Sequence, residues 1–211
     1  VREITAPHGM VLNPEPHCVE LIYAGQNVAV TETATSFENE RQKVEISLVK
    51  TIEQNECFGI GNNGEMKNIS FGLFAAEEIV SASGTSIPAN GLVEIISLNE
   101  DGTAKIKTDL PFGSYYVQEL ATDSHYMLSN TKYPVTFGYA GQDTAVVKIA
   151  VNDGNAVENK LIYGSVSGKK VEEDGNALGG AMIGLFRTDD GEFTKENALM
   201  TTTSAEDGSF S

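Results

Sequence analysis

The chain is short of positive charge: 14 lysines and arginines stand against 30 aspartates and glutamates, for a formal net charge of −16. Nucleic acids and anionic membrane surfaces are bound through basic patches, so neither is expected as a partner. The charge reads as a solvated, self-repelling surface. Acidic clusters can hold a cation, but no Asp-x-Asp-x-Asp-Gly loop is present to bind calcium. Cysteine is nearly absent, Cys18 and Cys57 being the two. They occupy non-equivalent places in the repeat described below, so there is no repeated disulfide framework, and a chain working outside the cell needs another staple. No apolar run approaches the roughly 18 residues of a membrane span, and no basic-then-apolar leader opens the sequence. The three histidines, His8, His17 and His125, lack metal-ligand spacing. No metal or cofactor is expected.

What the chain does have is internal repetition. Val1-Arg2-Glu3-Ile4-Thr5-Ala6 matches Val117-Gln118-Glu119-Leu120-Ala121-Thr122, and Tyr23-Ala24-Gly25-Gln26 matches Tyr139-Ala140-Gly141-Gln142, both 116 apart (117−1, 139−23). Glu38-Asn39 matches Glu158-Asn159 and Lys50 matches Lys170, each 120 apart (159−39, 170−50). Phe71-Gly72-Leu73-Phe74 recurs as Ile183-Gly184-Leu185-Phe186 after 112 residues (183−71), and Glu100-Asp101-Gly102-Thr103 as Glu206-Asp207-Gly208-Ser209 after 106 (206−100). The drift falls between matched blocks, as loop insertions would produce. Residues 1–42 then form the tail of one unit, 43–163 a complete unit and 164–211 the head of a third. Neither end meets a unit boundary, so a slice of a longer tandem array is expected. A unit of about 120 residues can bury a core of its own, which makes the array beads on a string rather than a solenoid.

Segments such as Val44–Lys50, Ala104–Thr108, Tyr115–Leu120 and Val146–Val151 alternate with period two and read as half-buried antiparallel strands. Turn signals separate them: Asn62-Asn63-Gly64, Asn90-Gly91, Asp101-Gly102, Pro111-Phe112-Gly113 and Asn152-Asp153-Gly154. With no long 3.6-period stretch, the expected fold is all-β, an antiparallel β-sandwich. One helical turn is expected at Ala75–Glu78. Gly59-Ile60-Gly61-Asn62-Asn63-Gly64 fits Gly-x-Gly-x-x-Gly, but no helix pattern follows it, and it reads as a flexible loop rather than a dinucleotide site.

Alternation carries an anomaly. If Ile46 and Leu48 face inward, so does Lys50; the same parity turns Lys170 inward with Val166 and Gly168. Tyr115 and Val117 share a face with Glu119, and Val157 shares one with Asn159. A buried lysine, glutamate and asparagine are each costly without partners. Each also recurs in a neighbouring unit. Desolvation favours the neutral, nucleophilic amine of Lys50, and a buried Glu119 can carry a proton as an acid. Attack of the amine on the Asn159 side-chain carbonyl would expel ammonia and leave an amide joining two side chains, with proximity supplying the rate. This is single-turnover self-modification, not an enzyme activity.

The motif set resembles the collagen-adhesin B-type repeats, also called SpaA-like or prealbumin-like domains, of Gram-positive surface proteins and pilins. The residues carrying the resemblance are Ile46-Ser47-Leu48-Val49-Lys50, Gly72-Leu73-Phe74, Asp101-Gly102-Thr103, Pro111-Phe112-Gly113-Ser114-Tyr115-Tyr116-Val117-Gln118-Glu119 and Glu158-Asn159, with Arg2–Pro7 resembling the family's glutamate strand in the preceding unit. The resemblance implies an Ig-like Greek-key sandwich and an intramolecular Lys–Asn isopeptide bond, here Lys50 to Asn159 with Glu119 as catalytic acid. It also implies a structural stalk or shaft on the cell-wall-anchored surface, whose partners are neighbouring repeats of the same polypeptide and, through other domains, host extracellular matrix. Glu3 and Asn39 become the acid and acceptor of the first unit, and Lys170 the nucleophile of the third. Neither partial unit can close its own bond, and pairing between molecules is left open at this point. Gly168 departs from the pattern by replacing the apolar residue two before Lys170. The alternative is a ligand-binding module that recognises host matrix protein or glycan through the loops at Cys57–Lys67 and Ile79–Gly91.

Overall fold

A computed structural model covers the chain and describes residues 1–81 and 84–211. The backbone forms two compact units, one comprising residues 1–54 and 61–160, the other 55–60 and 161–211.

Among the described residues the first unit contains ten strands: β1 (Lys43–Ile52), β2 (Ser70–Ala75), β3 (Ile79–Val80), β4 (Ser86–Ile87), β5 (Leu92–Ser97), β6 (Thr103–Thr108), β7 (Gly113–Ala121), β8 (Tyr133–Phe137), β9 (Val146–Ala150) and β10 (Val157–Asn159). They build the expected sandwich. One four-stranded sheet runs β5-β2-β7-β8, all antiparallel. The other is centred on β1, with β6 antiparallel on one side. Its opposite side departs from the all-antiparallel expectation. There β9 pairs in parallel with Lys43–Ser47 and β10 in parallel with Lys50–Ile52. A tight hairpin can join only antiparallel neighbours, whereas the first and last strands of a domain are connected by everything between them and are free to run the same way.

The break between β9 and β10 is the Asn152-Asp153-Gly154 turn, a short 3₁₀ segment in which Asn152 and Asp153 take left-handed φ values of 54° and 53°. Asn and Asp tolerate that region better than other non-glycine residues. A second 3₁₀ turn lies at Glu65–Asn68. The helical turn expected at Ala75–Glu78 does not form: Ala75 ends β2, and its N–H is spent on the Gly91 carbonyl.

On β1, Val44, Ile46, Leu48 and Lys50 are buried while the residues between them are less so. The three apolar side chains meet Phe71, Leu73, Val117, Val135 and Phe137 from the facing sheet in one core. Ahead of β1, residues 1–42 contain no strand, only a bridge between Met10 and Arg41. The glutamate strand expected at Arg2–Pro7 is not assigned as a strand. Its segment is tied to the sandwich instead, Ala6 N–H donating to Gln142 Oε1 at 2.8 Å and Leu12 N–H to the Gln142 carbonyl at 2.9 Å.

The second unit has four strands, β11 (Gly168–Lys169), β12 (Met182–Leu185), β13 (Met200–Thr203) and β14 (Ser209–Phe210). They pair as two ribbons, β11 with β14 and β12 with β13. Both cysteines are exposed and unbridged. The proposed binding loop at Ile79–Gly91 lies partly outside the described residues.

Candidate functional site

The alternation of β1 delivers Lys50 to the interior as its fourth inward side chain, and β10 is parallel to it with Ile52 opposite Asn159 and Lys50 opposite Val157. From the facing sheet, β7 contributes Glu119 by the same period of two from Tyr115 and Val117. All three polar residues are buried: Lys50 and Asn159 are 1% exposed and Glu119 is 3% exposed. The structure thus brings together the three residues named from the sequence.

Their contacts are specific. The Asn159 carboxamide nitrogen donates to Glu119 Oε1 at 2.8 Å and to Thr122 Oγ1 at 2.8 Å. Glu119 Oε2 accepts the Ser129 N–H at 2.8 Å, which fixes the carboxylate from its other side. Lys50 Nζ donates to the Thr51 and Val157 carbonyls at 3.0 and 3.1 Å and lies 3.9 Å from Glu119 Oε1. Burial lowers the Lys50 pKa from 10.5 to about 8, against the pull of the Glu119 and Glu158 carboxylates, which favour the charged form. A drop of that size raises the neutral fraction at pH 7 by about two orders of magnitude. Asn159 Oδ1 is buried without a hydrogen-bond partner, an arrangement that costs roughly 1–3 kcal/mol.

Gly102 closes the site from the side of β6. Its carbonyl accepts the Lys50 N–H at 2.8 Å. At φ +78° a side chain there is strained, and a Cβ would stand 2.2 Å from the Lys50 carbonyl oxygen, so only glycine lets the Asp101-Gly102 turn approach the nucleophile's backbone.

The residues named in the partial units show related contacts. Asn39 Nδ2 donates to Glu3 Oε2 at 2.8 Å, and Asn13 N–H donates to the same oxygen at 2.8 Å. Glu3 and Asn39 are half-buried. Lys170 Nζ donates to the Val171 carbonyl at 3.0 Å, as Lys50 does to that of Thr51. Lys170 was expected inside; it is half-exposed instead, because the two ribbons of its unit supply no sheet to cover it.

Two site residues escaped the sequence reading. Thr122 holds the acceptor carboxamide, but its counterpart in the repeat is Ala6, and Asn39 turns its Nδ2 to the Val11 carbonyl instead. Ser129 acts through its backbone, which no side-chain pattern reveals. The glycine loop is also more ordered than expected. Glu65 is buried, and its carboxylate accepts the Gly61 N–H at 3.0 Å and the Asn63 N–H at 2.8 Å. Those bonds, the Gly61 one foremost, hold its pKa below the ordinary value.

Residues 59–155 match the family model described as SpaA, prealbumin-like fold domain; Lys50 and Asn159 flank the matched span. No curated protein matches the chain. Among solved structures, the Bacillus anthracis TIE protein is similar at 20% identity over 99% of this chain and 32% of its own, with a TM-score of 0.60. The BcpA major pilin subunit of Bacillus cereus is 20% identical over 56% of this chain and 29% of its own (TM-score 0.31). The GBS52 minor pilin of Streptococcus agalactiae is 18% identical over 63% and 48% (TM-score 0.35). The chain spans about a third of the TIE protein's length. That overlay bears on the fold; the two pilin overlays are partial.

Proposed function

We propose, for a chain whose middle segment is a SpaA-type prealbumin-like domain, that it serves as a stalk or pilus-shaft segment of a Gram-positive cell surface, built from tandem units and locked by an amide between Lys50 and Asn159. The observation that carries this reading is the burial of an amine, a carboxyl group and a carboxamide together in one core. As separate groups they are a burden on the fold; joined, they become one neutral amide.

The chemistry balances within the three side chains. The neutral Lys50 amine attacks Asn159 Cγ, forming the C–N bond, and the Asn159 Cγ–Nδ2 bond breaks to release ammonia. Glu119 Oε1, 3.9 Å from the amine and 2.8 Å from the departing nitrogen, relays the proton from one to the other. The orphaned Oδ1 marks a second orientation of the carboxamide. Turned over about its last torsion, Asn159 would direct Oδ1 at Glu119 and Thr122 Oγ1. With a proton on Glu119 both can donate, drawing electrons from the carbonyl carbon as the amine approaches. Amide orientations are assigned from hydrogen-bond networks, and the two are close in shape.

An amide here ties the first strand of the sandwich to the last. Tension entering at β1 and leaving at β10 would then run through covalent bonds rather than through the hydrogen-bonded sheets, and the link would resist reduction, as suits a chain with no disulfide. The geometric likeness of Glu3 and Asn39 to Glu119 and Asn159 supports reading the flanking segments as further copies of the unit. The test is peptide mapping of the folded chain, which should yield one branched peptide containing Lys50 and Asn159; two linear peptides would overturn the reading.

A further inference from the structure

One repeated motif has no part in the cross-link: Tyr139-Ala140-Gly141-Gln142, which also occurs as Tyr23-Ala24-Gly25-Gln26. Its shape is kept in both places. Gly141 and Gly25 take left-handed φ values of 92° and 106°, and the Thr144 N–H reaches the Gly141 carbonyl at 3.3 Å as the Val28 N–H reaches that of Gly25 at 3.3 Å. A second recurrence is the turn at Pro7–Met10. The Met10 N–H donates to the Pro7 carbonyl at 3.0 Å and the Val11 N–H to that of Glu40 at 2.8 Å. In the same way the Tyr126 N–H donates to Asp123 at 3.0 Å and the Met127 N–H to Lys160 at 2.9 Å. The offsets are those of the sequence repeat, 116 and 120 (126−10, 160−40).

The first copy of the turn is seated on the second copy of the loop. The Ala6 N–H donates to Gln142 Oε1 at 2.8 Å and the Leu12 N–H to the Gln142 carbonyl at 2.9 Å. The His8 ring lies 4.4 Å from that of Tyr139 and 6.0 Å from that of Phe112, centroid to centroid. Gly9 takes φ +88°, and a Cβ there would stand 3.2 Å from Phe112 Cε2, so the turn meets the ring with bare backbone. Gln42, only 2% exposed, pins the two together. Its main-chain N–H donates to the Gly9 carbonyl at 3.0 Å. Its Nε2 donates to the Gly141 and Thr144 carbonyls at 3.0 and 2.6 Å, and its Oε1 accepts the Ala140 N–H at 2.9 Å. Both amide hydrogens and the amide oxygen are thus engaged, as burial demands. Arg41 adds an exposed ion pair to Asp109 at 2.6 Å, which contributes little.

We propose that the Tyr139–Gln142 loop, with Phe112 and Gln42, is a socket for the end of the preceding repeat and makes the two repeats move as one body. The proposal rests on reading residues 1–42 as the close of a repeat; it does not rest on the amide between Lys50 and Asn159. What the socket holds defines its partner: a turn with glycine at its third position, flanked by two main-chain N–H groups, those of Ala6 and Leu12. Because Tyr23–Gln26 keeps both the sequence and the turn, the device belongs to the array and not to one unit. Gln42 is not repeated, its counterpart 120 positions on being Ile162 (162−42), so the buried pin distinguishes this joint from the next. The joint also divides load. Gln42 leads directly into β1 and the loop leads into β9, the parallel strand beside it, and the Lys43 N–H joins the two at the Ala145 carbonyl, 3.0 Å away.

NMR relaxation and amide hydrogen exchange on the full-length chain test the joint. The amides of residues 6–12 should tumble with those of β2 and β7, and the Ala6, Leu12 and Gln42 N–H groups should be protected from exchange. Faster tumbling of residues 6–12, or unprotected Ala6 and Leu12, overturns the joint. Gln142→Ala removes the acceptor of the Ala6 N–H and should speed its exchange about fivefold, the equivalent of one hydrogen bond, while β2 and β7 keep their rates. Ala6 exchange that does not move overturns the socket. Gln42→Ile, which installs the residue found at the equivalent place of the next repeat, should free residues 6–12 to tumble faster while β2 and β7 stay protected. Equal loss of protection throughout the chain overturns the pin, and Gln142→Ala then decides the socket. The peptides holding Lys50 and Asn159 are mapped in the same samples, since Lys50 lies at the far end of β1. Residues 6–12 held fast in a chain at full mass leave the joint standing without the amide, and residues 6–12 loose in a chain lighter by one ammonia do the reverse.

Discussion

The Asn159 carboxamide nitrogen lies 2.8 Å from Glu119 Oε1, although the two residues come from opposite sheets and are forty positions apart (159−119). Sandwich cores are normally closed by apolar contacts, so a polar bond at this depth is a commitment of the fold. Replacing the carboxyl group with an amide keeps the shape and removes the proton relay. The Glu119→Gln chain should therefore fold but keep its full mass, with no ammonia lost, as read by intact-mass spectrometry.

Lys50 sets a pH dependence. In the folded, unreacted chain its pKa is about 8, below the 10.5 of an ordinary lysine, so between those values the unfolded state binds the extra proton. Stability should then rise as pH climbs through that window and be lowest below it, by at most about 3 kcal/mol. The unreactive Asn159→Ala chain should show the rise in thermal melts from pH 8 to 10.5. Adding Lys50→Met should remove it.

The cross-link itself encloses 109 residues (159−50). Chain-entropy reasoning for a loop of about that length gives roughly 4 to 5 kcal/mol. Urea unfolding of Asn159→Ala should show a loss at least that large, because the variant also strands the Glu119 carboxyl group in the core.

Gly102 is the backbone position on which the nucleophile's strand depends. Gly102→Ala would place a methyl group 2.2 Å from the Lys50 carbonyl oxygen at a left-handed φ, costing about 1–3 kcal/mol in strain. Both a lower melting temperature and slower ammonia loss after refolding are expected, whereas Gly138→Ala, with open space around it, should leave the reaction rate unchanged.

Thr122→Val removes one of two acceptors from the Asn159 nitrogen. A hydrogen bond of about 1 kcal/mol would slow the reaction about fivefold, measurable by mass spectrometry during refolding.

Much of this was legible in the residues. Period-two alternation placed Lys50, Glu119 and Asn159 inside because a strand offers only two faces and the apolar neighbours claimed one. What alternation cannot show is which strand lies beside which, so the parallel pairing of β1 with β9 and β10 came only from the fold. Thr122 stayed hidden since its counterpart is alanine, and Ser129 because it acts through its main chain. Lys170 followed the same parity as Lys50 yet is half-exposed: parity gives a face, and burial needs something opposite that face.

The most direct measurement is the intact mass of the folded 211-residue chain followed by peptide mapping. The expected result is a monomer lighter than its sequence by one ammonia, with the peptides holding Lys50 and Asn159 joined. A monomer at full sequence mass, with those two peptides recovered separately, would contradict it.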